Sequence, residues 1–184
     1  MLIESRLGEN YFEWVSKLKE KPEQGSIMVR ALCTYHGRGG VISEAKLNEI
    51  PPSLDALVRK PGHVIYSDEN KAAGGTDVYP SPLQYVVAAA GFCFLSTFAI
   101  HASALKVRID AVELNVRGYF DLNGYYKTDN VPVGITRIDM HLKVTSPESK
   151  EAIEKLVRET EDHCPVYQTL TNPPTINMKL DLNH

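Results

Sequence analysis

The sequence contains few cysteines and no block of charge of one sign. Its three cysteines, Cys33, Cys93 and Cys164, are an odd and sparse set among 184 residues, unlike the dense pairs of a secreted disulfide scaffold. The formal net charge is -3 and is spread along the chain, which disfavours nucleic acid or an anionic membrane as a partner. The first residues lack the basic start and apolar run of an export signal, so we expect a cytoplasmic protein.

The short motifs of several large enzyme classes are also missing. The sequence has no P-loop, no G-x-G-x-x-G, no H-E-x-x-H and no G-x-S-x-G, which argues against nucleotide-binding, zinc-protease and serine-hydrolase sites. No repeat or low-complexity tract occurs, and we expect no cofactor. The length suits one domain, which we place at residues 26–184, with residues 1–25 as a helical extension.

One long segment is free of Lys, Arg, Asp and Glu: PLQYVVAAAGFCFLSTFAIHASAL, residues 82–105. It is long enough to cross a bilayer. Its many alanines and small polar residues, its His101 and the lack of flanking basic residues favour a buried helix in a soluble protein instead. A helix that is apolar on every side must be covered on every side, and a chain of this size covers one poorly. We therefore expect a second subunit.

Hydrophobic periodicity predicts an α+β domain around this helix. The two long strands have alternating apolar residues, with a shift near Thr136. We expect Ser146 to cap the helix that follows them, with Glu148 in its first turn. The other expected elements are a helix at 8–20, a strand pair about a Gly-rich turn at 26–45, helical turns at 51–60, a strand at 62–67, a loop up to Pro82, long strands at 108–122 and 133–146, a helix that Cys164 caps, and a last strand at 174–182.

Two of the cysteines are candidates for chemistry. A lone buried cysteine such as Cys93 is usually a small hydrophobic residue. Cys164 is predicted at a helix amino terminus, where we expect the pKa of its thiol to lie below the ordinary value of about 8.5. Ionisation of Cys93 in apolar surroundings requires a cation. Arg38, between glycines in HGRGG, could supply it, although an arginine at a turn can also simply be solvated.

A zinc site can also be drawn from Cys33, His36, His163 and Cys164. Strand alternation directs Cys33 and His36 to opposite faces, and adjacent residues rarely bind one ion together. We therefore expect no metal. His101 lies about 12 Å along the helix from Cys93, too far to act as the base for that thiol.

The pattern GGTDVYPSPLQYVVAAAGFCFLSTFA, followed by two long strands, DHCPVYQTL and a closing strand, resembles the OsmC/Ohr family of osmotically inducible and organic-hydroperoxide-resistance proteins. The similarity covers roughly residues 26–182. It implies an intertwined homodimer in which antiparallel sheets wrap a long buried central helix. It also implies that Cys93 is the peroxidatic thiolate, Cys164 the resolving cysteine and Arg38 the activating cation.

The resemblance implies a thiol-dependent peroxidase that defends against oxidative stress. The substrate would be an organic hydroperoxide, and the reductant a dithiol of the lipoyl or thioredoxin type. We expect Leu83, Gln84, Phe92 and Phe94 to contact the substrate.

One departure from the family pattern supports an alternative. Peroxidase members of the family have a glutamate after the proline that opens the central helix, and here Leu83 takes that place, followed by Gln84. Gln84 could hydrogen-bond Arg38 but supplies no charge. The arginine could instead pair with Asp77 or Glu44. The alternative is an OsmC-fold protein that binds a small hydrophobic or thiol ligand in its dimer pocket, with little turnover.

Overall fold

The computed structural model describes residues 9–22, 28–38, 41–50 and 63–182, without some of the side chains, most of them in the first helix and the first two strands. It confirms an α+β fold of helices and antiparallel sheets. The sheets have the strand orders β1-β2-β3 and β4-β5. The elements are α1 (Glu9–Glu20), β1 (Met28–Arg38), β2 (Val41–Ile50), β3 (His63–Ser67), a 3-10 turn (Lys71–Ala73), α2 (Pro82–Ala104), β4 (Ala111–Phe120), α3 (Leu122–Tyr126), β5 (Ile135–Thr145), α4 (Lys150–His163) and α5 (Pro165–Thr171).

The described chain divides into two compact units between Val87 and Ala88. The amino-terminal unit contains the three-stranded sheet and the first six residues of α2. The helical turns predicted at 51–60 and the boundary predicted between residues 25 and 26 lie outside the described residues. The carboxyl-terminal unit contains the rest of α2 and every later element.

In the amino-terminal unit, a buried carboxylate organises the loop between β3 and α2. The Asp68 side chain accepts hydrogen bonds from the backbone N–H groups of Glu69, Thr76 and Val78 and from the Thr76 hydroxyl. Burial alone would raise the pKa of the Asp68 carboxyl, but these hydrogen bonds outweigh it, and the pKa lies below its ordinary value of 3.8. Gly75 packs so closely on the Glu69 carbonyl that a side chain there would collide with it.

The start of α2 is fixed by reciprocal hydrogen bonds. The Gln84 side chain accepts a hydrogen bond from the Ser81 N–H at 2.7 Å, and the Ser81 hydroxyl accepts one from the Gln84 N–H at 3.4 Å. This is a capping box with Pro82 as the first helical residue, as its fixed φ favours. One turn further on, the Tyr85 hydroxyl donates to the carbonyl of Tyr66 in β3 at 2.6 Å.

In the carboxyl-terminal unit, one face of α2 forms the core. Gly91 lets this face approach β4, because a Cβ there would lie 3.3 Å from a methyl group of Val116. Partly buried side chains from β4, β5, α4 and α5 pack around the core. The fully or nearly buried core residues are Phe94, Phe98, Ala102, Ile109, Leu156 and Cys164.

The remaining surface of α2 is only partly covered. Phe92 is 74% exposed, and Val86 and Ile100 are also exposed. Among the described helices, α2 is the one whose length and hydropathy would suffice to cross a membrane, although the core helix of a soluble protein passes the same test. We expected α2 to be buried on every side, but within this chain only one face of the helix is buried.

The β4–β5 pair follows its sequence pattern closely. The strands are antiparallel, and the register shifts where Tyr119 pairs with Arg137 but Phe120 pairs with Ile135. Thr136 is the extra residue, so the predicted shift near Thr136 is a β-bulge. The connection contains the short helix α3, which the turn composition did not predict. The backbone of Gly124 in α3 packs against the carbonyls of Val131 and Pro132.

Two predicted features are wrong. Ser149, not Ser146, caps α4, because the Ser146 hydroxyl donates to the Arg108 carbonyl and the Glu148 carboxylate accepts from the Arg108 N–H. These two residues thus connect the end of β5 to the start of β4. The strand predicted at 174–182 is not formed, since this segment pairs with no described strand. Its alternating apolar residues are exposed, Met178 at 90%.

The core packing predicts a large cost for truncating Leu156. The side chain is fully buried in the core, so Leu156→Ala should leave a cavity and lower the free energy of unfolding by about 2–5 kcal/mol. Urea unfolding measures this value. The control Val133→Ala changes an exposed side chain and should alter it by less than about 0.5 kcal/mol. Equal effects of the two variants would contradict the assigned core.

The Asp68 hydrogen bonds predict a dependence of stability on acid. Because the folded state lowers the pKa of this carboxyl, its contribution is complete above the unfolded value and is lost as the pH falls through the folded value. Asp68→Asn should therefore lower the urea midpoint at neutral pH and flatten its decline in acid. Asp129→Asn is the control, since that carboxylate is exposed and accepts a hydrogen bond from the N–H of its neighbour Asn130. An unchanged acid profile in Asp68→Asn would refute the prediction.

Candidate active site

The fold brings two of the three cysteines together. Cys93 lies in the middle of α2, and Cys164 lies between α4 and α5. The Cys93 thiol is close enough to raise the pKa of the Cys164 thiol, and the Cys93 side chain packs against the core cluster that contains Cys164. Both are free thiols, Cys93 partly exposed and Cys164 buried. Two thiols distant in sequence are thus neighbours in an apolar environment.

The break between α4 and α5 holds Cys164 in place. Its N–H donates to the Thr160 carbonyl at 2.8 Å, and its carbonyl accepts from the Gln168 N–H at 2.9 Å. Pro165, as the first residue of α5, ends α4 and starts the new helix. Cys164 is therefore the carboxyl-terminal cap of α4 and the amino-terminal cap of α5, the second of which the sequence predicts. Its thiol is directed into the core and is fully buried.

The expected low pKa of Cys164 is wrong. Burial raises the pKa of this thiol above its ordinary value, since removal from water disfavours the charged form. A hydrogen bond from the Tyr167 N–H lowers it, the adjacent Cys93 thiol raises it, and a hydrogen bond from the Thr97 hydroxyl lowers it. The balance remains upward. Position at a helix amino terminus favours a thiolate, but here the loss of solvent is the larger effect.

The two phenylalanines predicted to contact substrate lie in different environments. Phe94 is 4% exposed and belongs to the core, where its ring centroid lies 6.2 Å from that of Tyr167 in α5. Phe92, two residues earlier, projects from the helix and is exposed. Of the pair, Phe92 is the one that a molecule can reach from solvent in this chain.

The other predicted substrate contacts lie on the first turn of α2 in the amino-terminal unit. The Gln84 side chain takes part in the capping box with Ser81. Leu83 is partly exposed and, as an apolar residue, cannot form an ion pair. The first turn of α2 therefore contains no acidic side chain.

The candidate cation is only partly described. The backbone of Arg38 ends β1, paired with Val41 of β2, but its side chain lies outside the described residues. Of its two alternative partners, Glu44 forms an exposed ion pair of 3.8 Å with Lys46, and Asp77 adopts a positive φ of 62° in the loop before α2. The role of Arg38 stays a prediction.

The described side chains give no support to the alternative zinc site. Among them, no three His, Cys, Asp or Glu residues form a group that could hold a metal ion. Cys33 is exposed on β1, and the His36 side chain lies outside the described part of the chain.

Sequence reasoning missed a pair of histidines that joins α2 to the end of α4. The rings of His101 in α2 and His163, the last residue of α4, lie 5.2 Å apart. Burial lowers the pKa of His101, the nearby His163 lowers it further, and Glu159 opposes the change. His163 Nδ1 also lies 2.9 Å from the Glu159 carbonyl oxygen. No sequence motif indicates this pair, because its members come together only when α4 packs on α2.

Sequence reasoning also missed Thr97. It lies four residues after Cys93, one turn along the same face of α2, and is buried. Its hydroxyl acts to lower the pKa of the Cys164 thiol, against the larger effect of burial. The spacing from Cys93 is the one signal in the sequence that could have indicated it.

The fold and the site define a class: an α+β protein whose long apolar helix places one thiol against a second thiol at the start of a later helix. A family model described as OsmC-like protein matches residues 74–179, more than half of the chain, and this chain belongs to that family. The resemblance seen in the sequence is thereby confirmed.

Solved structures show the same fold. An OsmC-like protein from Mycoplasma pneumoniae matches with a TM-score of 0.55 at 20% identity, over 79% of this chain and 89% of that one. An OsmC-like protein of unknown function from Vibrio cholerae matches with a TM-score of 0.58 at 13% identity, over 77% and 92%. The organic hydroperoxide resistance protein OsmC from Legionella pneumophila gives 0.50 at 16% identity, over 80% and 90%. No curated protein matches the chain.

The histidine pair predicts a specific loss of stability in weak acid. Because folding lowers the pKa of His101 below 6.5, the stability that neutral His101 contributes is complete above that pH. It is lost as the pH falls through the folded value. Wild-type unfolding free energy should therefore decline between about pH 8 and pH 5, and His101→Gln should decline less, as measured by urea unfolding.

His141→Gln provides the control, since His141 is exposed on β5 and its removal should leave the wild-type pH dependence in place. A His101→Gln profile parallel to that of the wild type would show that the partly buried His101 imidazole does not govern stability in this range.

Proposed function

We propose that this protein is a thiol-dependent peroxidase that reduces organic hydroperoxides through Cys93 and Cys164. The observation that carries the proposal is the contact between these two thiols in an apolar environment. Paired thiols in contact are the arrangement required for a cycle through sulfenic acid and disulfide. The name of the Legionella relative refers to organic hydroperoxide resistance, which agrees with this chemistry.

In the first step, the Cys93 thiolate attacks one oxygen of the peroxide. The O–O bond breaks, the departing oxygen takes a proton and leaves as an alcohol, and Cys93 becomes a sulfenic acid. In the second step, the Cys164 thiol loses its proton and its sulfur attacks the Cys93 sulfur. The S–O bond breaks, hydroxide leaves with that proton as water, and a disulfide remains. Two electrons pass from the two thiols to one peroxide.

The difference in burial divides the roles of the cysteines. Cys93 is partly exposed, whereas Cys164 is fully buried with a raised pKa. A buried, protonated thiol is a poor target for peroxide, because the thiolate is the reactive form. We therefore assign the first reaction to Cys93 and the second to Cys164, as the family resemblance implies.

Arg38 completes the first step in this proposal. A guanidinium beside Cys93 would hold the sulfur as thiolate and polarise the peroxide by a charge-assisted hydrogen bond. We keep Leu83, Phe92 and Phe94 as proposed substrate contacts, and their apolar side chains would favour an organic hydroperoxide over hydrogen peroxide. Gln84 would act indirectly, since it caps the helix that bears Cys93.

The assembly and the partners belong to the same proposal. A homodimer in which the second subunit covers the exposed face of α2 would bury Phe92, Ile100 and Val86, which one chain leaves exposed. The disulfide would be reduced by a dithiol of the lipoyl or thioredoxin type. We place the protein in the cytoplasm, where such a disulfide is transient, with a role in defence against oxidative stress.

A second function is favoured by one specific observation. The first turn of α2 has no acidic residue that could pair with a cation. The side-chain oxygen of Gln84 already accepts a hydrogen bond from the Ser81 N–H, so it does not orient a cation either. In this alternative, the apolar surroundings of the helix bind a small hydrophobic or thiol compound, and the two cysteines turn over slowly.

Thiol titration with cumene hydroperoxide separates the two functions. In a Cys33→Ser background, which removes the exposed third cysteine, one equivalent of peroxide should consume both remaining thiols, because Cys93 and Cys164 are in contact and form a disulfide. Mass spectrometry under non-reducing conditions identifies the bond.

The matched control adds Cys164→Ser to the same background. It should lose its single remaining thiol to a sulfenic acid that dimedone traps, and form no disulfide. Thiols that stay intact in both chains would refute the peroxidase and favour the binding protein.

A further inference from the structure

A proline at the junction of α4 and α5 leaves one backbone carbonyl without its helical partner. Proline has no N–H, so it removes the hydrogen bond that would run to the carbonyl four residues earlier. For Pro165 that carbonyl belongs to Glu161, in the last turn of α4. A carbonyl left open at the end of a helix needs another donor, from a side chain or from water.

The Gln168 side chain supplies that donor. Its Nε2 donates to the Glu161 carbonyl oxygen at 2.8 Å, across the break between the two helices. Its Oε1 accepts a hydrogen bond from Asn172 Nδ2 at 3.2 Å, which orients the amide with its nitrogen toward α4. A side chain of α5 thus replaces the backbone hydrogen bond that Pro165 removes.

The same residue also holds the backbone of Cys164. The Gln168 N–H donates to the Cys164 carbonyl at 2.9 Å, so Gln168 is bonded both to α4 and to the cysteine between the helices. Cys164 is fully buried in the core cluster against which the Cys93 side chain packs. If α5 turned away from α4, the Glu161 carbonyl would lose its partner and the Cys164 thiol would turn away from Cys93.

We propose that Gln168 is a positioning residue for the Cys164 thiol: its side-chain amide fixes α5 to the end of α4, so that this thiol stays directed toward Cys93. The inference rests on the proposed function and concerns its second step. In that step the Cys164 sulfur displaces hydroxide from the oxidised Cys93 sulfur, and the hydroxide leaves as water with the Cys164 proton. Holding the attacking sulfur in place lowers the barrier of that step and leaves the first step unchanged.

The test replaces Gln168 by Met, a side chain of similar length that cannot donate this hydrogen bond. In the Cys33→Ser background, stopped-flow addition of cumene hydroperoxide should give the same rate of Cys93 oxidation as in the parent chain. The following disulfide step should be about 3- to 10-fold slower in Gln168→Met, the effect of one neutral hydrogen bond. Dimedone should therefore trap more sulfenic acid.

Two further variants separate the hydrogen bond from packing. Gln168→Glu keeps the shape of the side chain, but its carboxylate has no donor at neutral pH and gains one when it is protonated, ordinarily near pH 4.3. Its deficit relative to the parent chain should therefore shrink as the pH falls toward about 4.5. A deficit that does not change with pH would overturn the assignment.

Thr169→Val is the matched control. It removes a hydrogen bond within α5, from the Thr169 hydroxyl to the Pro165 carbonyl at 2.8 Å, and should leave the disulfide step at the parent rate. Equal slowing in Thr169→Val and Gln168→Met would show that any loosening of α5 is enough, which also overturns the assignment.

Diamide separates this inference from the proposed function. This azo oxidant takes two electrons and two protons from a pair of thiols, so at saturating concentration it forms the Cys93–Cys164 disulfide without peroxide. If hydroperoxide leaves the wild-type chain unchanged but diamide forms the disulfide more slowly in Gln168→Met, the peroxidase is refuted and the positioning role stands. Equal rates of disulfide formation in the two chains refute the positioning role, whether or not the peroxidase stands. A wild-type chain that forms the disulfide with neither reagent refutes both.

Discussion

The site depends on the packing of the α4–α5 break against the buried face of α2. Cys164 sits at that break, held by backbone hydrogen bonds on both sides, and Pro165 prevents the two helices from merging. The same packing that buries Leu156 and Phe98 brings the second thiol to Cys93. The core and the approach of the two thiols are therefore one arrangement.

Local signals in the sequence predicted the elements well. Alternation located β4 and β5 and even the irregularity that the structure shows as a bulge at Thr136, because each apolar residue there must face the core. Pro82 and Pro165 marked the starts of α2 and α5, since proline fits only the first turn of a helix. The two cysteines were paired by resemblance to the family, and no periodicity could have brought them together.

The features that could not be predicted from the sequence depend on contacts between residues that are distant in the chain or on burial in the core. By residue type, Ser146 and Ser149 are equally good helix caps. Ser149 caps α4 because the Ser146 hydroxyl donates a hydrogen bond to the Arg108 carbonyl. The Cys164 pKa moves opposite to the expectation from a helix terminus because burial outweighs the dipole. Thr97 and the histidine pair have no motif, since their partners come from helices far away in sequence.

Two apolar parts of the described chain are exposed to solvent. Phe92 projects from a helix with no Lys, Arg, Asp or Glu, and the alternating segment 174–182 has the pattern of a strand without a described neighbour. The rest of the described chain leaves both exposed. The helix lacks a second apolar face to pack against, and the segment lacks a strand edge to pair with. The intertwined homodimer that we propose would supply both at once.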